Sequence, residues 1–223
     1  MSKTVLVVAA HTDDEALGCG GTIAKHVAQG DTVYAVFMAD GVTSRRGVSE
    51  KELSERNEAS KQAHKILGIK QSFMLGFPDN CMDTMPLLEI VQSLEKIIDK
   101  LQPSLIYTHH IGDLNIDHRI VHQAVLTACR PAPGALVKAI YAFEVLSSTE
   151  WSTPGVNSFV PSVFVDISQH LEKKLNALEA YGLEMREEPH SRSVGNAKRL
   201  AELRGSFVGV QAAEAMMPLR VIC

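Results

Sequence analysis

Four cysteines in 223 residues, Cys19, Cys81, Cys129 and Cys223, lie far apart and form no Cys-x-x-Cys pair. That scarcity excludes a disulfide framework and a thiolate zinc site, and it fits a reducing compartment. Basic clusters are missing too. With 22 Lys and Arg against 26 Asp and Glu, the formal charge is −4, and nucleic acid is not expected as a partner. Only six consecutive apolar residues, Val5 to Ala10, precede His11. They are too few for a signal peptide or a membrane span, so the cytoplasm is the expected location. No Gly-x-x-x-x-Gly-Lys-Ser/Thr loop and no Gly-x-Ser-x-Gly elbow occurs. Gly18-Cys19-Gly20-Gly21 lacks the third glycine of a dinucleotide fingerprint, and close helix–strand packing explains it as well.

What is present is an alternation of buried strands and amphipathic helices. Strands are expected at Val5 to Ala10, Thr32 to Ala39, Gln71 to Leu75 and Ser104 to Thr108. Helices are expected at Glu15 to Gln29, Glu50 to Leu67 and Met85 to Leu101, with Gly30, Gly68 and Pro103 as stops. This β-α-β-α-β-α-β pattern calls for a Rossmann-like α/β sandwich of three layers, with a mostly parallel central sheet in the order 3-2-1-4-5. Further strands at Lys138 to Val145 and Ser162 to Ile167, helices at Gln169 to Tyr181 and Ser193 to Leu203, and an edge strand at Gly205 to Val210 are expected in the last third. With no linker or repeat, residues 1–223 read as one domain, 4–130 forming its core and 131–223 the remainder.

In the expected order the loops after strands one and four face each other across the crevice. The first is His11-Thr12-Asp13-Asp14-Glu15. An imidazole and a carboxylate three residues apart can share one divalent metal, leaving the other carboxylate free to act on a water. A solvated turn with an acidic helix N-terminus is the plainer alternative. The second loop runs from Thr108 through His109, His110, Asp113, Asn115 and Asp117 to His118, and Asn115 or Asp117 can cap the helix that follows. His11, Asp14 and His118 would then form an open His2Asp site for Zn²⁺, with Fe²⁺, Co²⁺ or Mn²⁺ as alternatives. His109 and His110, at the strand end, are expected to satisfy buried carbonyls; His122 is expected beside the ligands or at the surface. His26 and His64 read as ordinary surface residues.

These two motifs resemble those of the PIG-L or LmbE-like N-deacetylase family, whose signatures read Ala-His-Pro-Asp-Asp-Glu and His-Pro-Asp-His. The resemblance covers about residues 4 to 130 with specific motifs and continues more loosely to the C-terminus. It implies a zinc-dependent hydrolase that removes acetyl groups from amino sugars, with His11, Asp14 and His118 as metal ligands and Asp13 as general base. Arg56 matches a substrate-contacting arginine, although it can equally pair with nearby glutamates on its helix. Thr12 stands where the family has proline. Asn115 stands where the family has a histidine that helps stabilise the tetrahedral intermediate, and Asp117 would orient that histidine. His190, then His110, is expected to supply the missing ring.

The expected reaction is hydrolysis of an N-acylated sugar or sugar conjugate, a small-molecule partner, by activated water with Asp13 as base. Arg45, Arg46, Arg56, Arg186 and Arg192 would offer donors to a hydroxyl-rich substrate. Two other functions remain: an amidase acting on a thiol conjugate or acylated natural product, and a non-catalytic metal- or nucleotide-binding module. Asp13 argues against the last, because a simple metal site needs no free carboxylate. A homo-oligomer is compatible with all three.

Overall fold

A computed structural model describes residues 2–44, 47 and 49–223. Strand β1 (Thr4–Ala9) is central and alternates cleanly between two cores. Val5, Val7 and Ala9 face one; Leu6, Val8 and Ala10 face the other. This two-sided burial is what an all-apolar strand in a parallel sheet requires. Strands β2 (Thr32–Phe37), β3 (Gln71–Met74), β4 (Leu105–His109) and β5 (Ala139–Phe143) run parallel to it, in the order β3-β2-β1-β4-β5. The first core packs under α1 (Asp14–Ala28), α2 (Glu50–Leu67), α5 (Leu171–Ala180) and α6 (Val194–Ser206). The second packs under α3 (Leu87–Leu101) and α4 (Ile116–Ala128). The architecture is the expected three-layer α/β sandwich. Among the described residues, no helix is long and apolar enough to cross a membrane.

Local signals account for the sharpest boundaries. Ser49 and Glu52 form a reciprocal capping box at the start of α2, and Gly68 ends it with φ at 82°. The last third differs from expectation at one element. Gly205 to Val210 is not a strand: Gly205 and Ser206 finish α6, and Gly209 turns the chain at φ 77°. The last strand is instead β7 (Ala213–Val221), inserted antiparallel between β5 and β6 (Val163–Asp166), which leaves β6 at the edge of the sheet. Its Ala-Glu-Ala-Met-Met-Pro stretch carries helix formers and a proline, so its sequence does not look like a strand interior.

Helix α1 is kinked at Cys19 (φ −146°, ψ 25°), in the middle of its glycine run. A Cβ at Gly18 would lie 2.2 Å from the Phe143 ring, and one at Gly21 2.6 Å from Ile167, so the glycines serve close packing. At the kink, Glu214 of β7 accepts the freed Gly21 and Thr22 N–H groups at 2.9 and 2.7 Å. Lys174 of α5 donates to Glu214 at 2.6 Å and to the Leu17 carbonyl at 2.7 Å. This buried pair latches α1 to its neighbour α5 and to β7.

Candidate active site

The carboxyl ends of β1 and β4 deliver the two histidine-bearing loops to one crevice. His11 follows β1, and its N–H donates to Asp14 Oδ2 at 2.9 Å. Asp13 caps α1 from the left-handed half of the backbone map, at φ 117° and ψ −29°. Its N–H donates to Glu15 Oε2 at 2.9 Å, while Tyr181 donates to Glu15 Oε1 at 2.7 Å. Glu15 therefore fixes the turn that presents both aspartates. Across the crevice Asn115 caps α4, its side chain accepting Asp117 N–H at 2.8 Å, and His118 lies in the first helical turn.

Asp14 Oδ2 is the focus of the site. It lies 3.5 Å from His11 Nδ1, 3.3 Å from His118 Nε2 and 3.4 Å from His109 Nε2. The far nitrogens of the first two rings face carboxylates. His11 Nε2 is 3.1 Å from Asp79 and 3.2 Å from Asp117; His118 Nδ1 is 3.1 Å from Asp113. A carboxylate holds the imidazole proton on the nitrogen it faces, which leaves the opposite lone pair free. Two lone pairs and an acetate-like oxygen then converge with all three residues buried, their ligand atoms within 4.8 Å of one another. That donor set fits a divalent cation. A second grouping, His11 with Asp79 and Asp117, is as compact. Its carboxylates already accept N–H groups from Ser44, Asn80 and Met82, which suits holding His11 more than holding another ion.

The electrostatics show a demand for positive charge at the same point. Burial would lower the His118 imidazole, but Asp14 and Asp113 on its two sides more than offset it and raise the pKa to about 9. Burial would raise Asp14, yet His118 and His109 hold it well below the usual carboxylate range. His109, stacked on His118 with centroids 3.9 Å apart, is pushed down to about 4, by burial first and then by His118. It stays neutral and accepts the Ala10 N–H at 2.8 Å.

Asp13 stands beside the trio without joining it. Burial pushes its pKa up to about 6, against the pull of Arg56 and Arg192. Arg192 Nη1 reaches Asp13 Oδ2 at 3.0 Å, and Arg56 Nη2 lies 3.5 Å from Oδ1. Arg56 is buried and engaged with the Thr12 hydroxyl, the Thr12 and Asp40 carbonyls and Glu184. The residue in the proline position thus helps seat this arginine. Arg45 and Arg46 lie outside the described residues, and Arg186 donates to the Leu183 and Met185 carbonyls.

Other expected residues fall elsewhere. Asn115, besides capping, donates from Nδ2 to Asn80 at 2.9 Å. His110 Nε2 donates to the Asn157 carbonyl at 2.6 Å, and His122 Nδ1 to that of His109 at 2.8 Å. His190 is exposed, edge-on to Trp151 at 5.7 Å, with Nδ1 accepting the Arg192 N–H. His26 and His64 are not surface residues. His64 is buried, stacked on Phe37 at 5.2 Å, and His26 bridges Asp31 and the Tyr107 hydroxyl. Their charged helix neighbours conceal that their own faces meet aromatic rings of the sheet. The sequence analysis missed Asp79, Asp113 and Glu15 as supports. The first two are acids just past strand ends three and four, the same signal that marked His11.

A family model described as PIG-L, GlcNAc-PI de-N-acetylase, matches residues 6–129. The chain is 34% identical over 185 residues to the uncharacterized deacetylase YaiS of Escherichia coli K12, covering 80% of this chain and 90% of that protein. It is 31% identical over 188 residues to a probable N-acetyl-α-D-glucosaminyl L-malate deacetylase 2 of Bacillus cereus, covering 81% and 83%. The structure superposes on the 4-carboxy-2-hydroxymuconate hydratase GalB of Pseudomonas putida with TM-score 0.79 and 22% identity, covering 99% and 98%, a likeness of fold alone.

Proposed function

The chain belongs to the PIG-L family, and from that premise we propose that it is a zinc-dependent hydrolase removing the N-acetyl group from a glucosamine conjugate. The observation that carries the proposal is the convergence of His11, Asp14 and His118 with a further buried carboxylate, Asp13, alongside and outside that trio. Those three residues would hold the ion. Zinc, when bound, supplies a Lewis acid and makes hydroxide available near neutral pH.

The chain's own residues account for the rest. Asp13 takes the proton of the attacking water and returns it to the departing amine. A pKa of about 6 suits both directions of that transfer. Arg192 and Arg56 hold the carboxylate in place between them. Asp113 orients His118, and Asp79 with Asp117 orients His11, so both imidazoles keep their lone pairs toward Asp14. Acetate and a free amino sugar result. The same proposal places the protein in the cytoplasm, where its four unpaired cysteines suit a reducing medium.

The test is acetate release by the zinc-loaded protein from N-acetylglucosaminyl malate and related N-acetylglucosamine conjugates. Asp13→Asn should abolish release and leave zinc content intact. Because the sandwich also serves a hydratase, hydration of an unsaturated acid without acetate release would overturn the reading, as would acetate released only from thiol-conjugate amides.

A further inference from the structure

The chain has a single tryptophan, Trp151, and its side chain is 51% exposed. A large apolar ring left in water forgoes the burial that normally places tryptophan inside, so its position calls for a reason. Trp151 ends a short 3-10 turn, Thr149–Trp151, that is tied to both sides of the crevice. On one side, Ser148 and Thr149 donate their hydroxyls to Asp113, the carboxylate behind His118. On the other, Ser147 Oγ accepts from Arg192 Nε at 2.7 Å, and the same guanidinium reaches Asp13. Glu150 accepts the Ser147 N–H and the Ser191 hydroxyl, and His190 stands edge-on behind the indole. The turn that carries the indole is thus clamped to Asp113, the carboxylate behind His118, and to Arg192, which contacts Asp13.

A second exposed apolar side chain comes from the loop after β4. Leu114, 52% exposed, precedes Asn115, and its N–H donates to the Ser148 carbonyl at 3.4 Å. The loop after β4, which carries Asp113 and leads to His118, and the segment after β5, which carries Trp151, are thus joined, and each exposes an apolar side chain. A pyranose ring has an apolar C–H face that matches a flat aromatic surface, and its hydroxyl edge suits the polar groups of the crevice.

We propose that Trp151, with Leu114 beside it, is the platform for the ring attached to the acetylated glucosamine, and so sets preference for conjugates over the free sugar. This rests on the deacetylase reading. It makes Trp151 a specificity-determining residue, with His190 as its backing.

The test compares N,N′-diacetylchitobiose with N-acetylglucosamine as substrates of the zinc-loaded protein. Trp151→Ala should lower the disaccharide-to-monosaccharide ratio of kcat/KM roughly tenfold, mainly through KM, as expected for one lost stacking contact. Trp151→Phe should restore most of that ratio. The lone tryptophan gives a second readout, since its fluorescence should change on titration with the deacetylated disaccharide and far less with glucosamine. An unchanged ratio in Trp151→Ala, or fluorescence that ignores the disaccharide, would overturn the platform. Should the native protein release acetate from neither sugar nor from N-acetylglucosaminyl malate, the deacetylase reading fails, while the fluorescence titration still decides whether the indole meets a ring.

Discussion

Two buried charge clusters flank helix α1, and they are built on opposite plans. At its kink, Glu214 and Lys174 are closed: the carboxylate accepts two backbone N–H groups and the ammonium, and the ammonium also reaches a carbonyl. At its N-terminus, three imidazole nitrogens crowd one oxygen of Asp14, and the carboxylates that face the outer nitrogens of His11 and His118 lie behind their rings. The first cluster is complete as it stands. The second turns ring nitrogens and a carboxylate oxygen toward one point, where a bound cation would balance them. Burial and charge alone therefore do not mark a functional site; the direction in which lone pairs are left pointing does.

The sharpest test of that contrast is Asp13→Asn. Turnover should fall by about 10²–10⁴-fold, the range of a lost general base, with zinc stoichiometry unchanged by metal analysis. Retained turnover would strip Asp13 of its role. Glu214→Ala should act on the other cluster, costing about 3–5 kcal/mol of stability by stranding a buried lysine. Urea unfolding would show it, and the fraction still folded should bind zinc normally. If zinc were lost in step with stability, the two clusters would not be separable.

Asp113→Asn should weaken zinc binding by about 10–100-fold, the scale of a lost carboxylate behind a histidine ligand. Competition with a chromophoric chelator measures this directly, and an unaltered affinity would make Asp113 merely a loop anchor. Asn115→Ala should cost about 1 kcal/mol of stability as a lost helix cap and slow turnover little. A hundredfold loss of turnover there would instead place Asn115 in the chemistry.

Much of this contrast is legible along the chain, and for a physical reason. The parallel strands announce themselves by two-sided apolar runs, and residues just past strands one and four must meet at the switch point. Helix α2 is bounded by side chains acting on their own backbone, so its limits at Glu50 and Leu67 are local facts. Strand β7 is not local. It becomes a strand because β5 and β6 offer it two hydrogen-bonding edges, which its alanine- and methionine-rich sequence does not declare. The same holds within the site. The Arg192 contact to Asp13 spans 179 positions and the Glu214 contact to Thr22 spans 192, and no periodicity encodes such pairs. His64 fails for a related reason: its partner ring, Phe37, belongs to a strand that its helix sequence says nothing about.

The turn at Asp13 carries one more consequence. A non-glycine residue at φ 117° costs on the order of 1–3 kcal/mol, and glycine would occupy the same turn without that cost. A protein shaped only for stability would place glycine there. This one keeps a β-carbon because the carboxylate on it cannot be had otherwise, and it restrains the turn from three directions through Glu15, Arg56 and Arg192. Asp13→Gly is therefore expected to give a more heat-resistant and inactive protein, so stability and activity oppose one another at this residue.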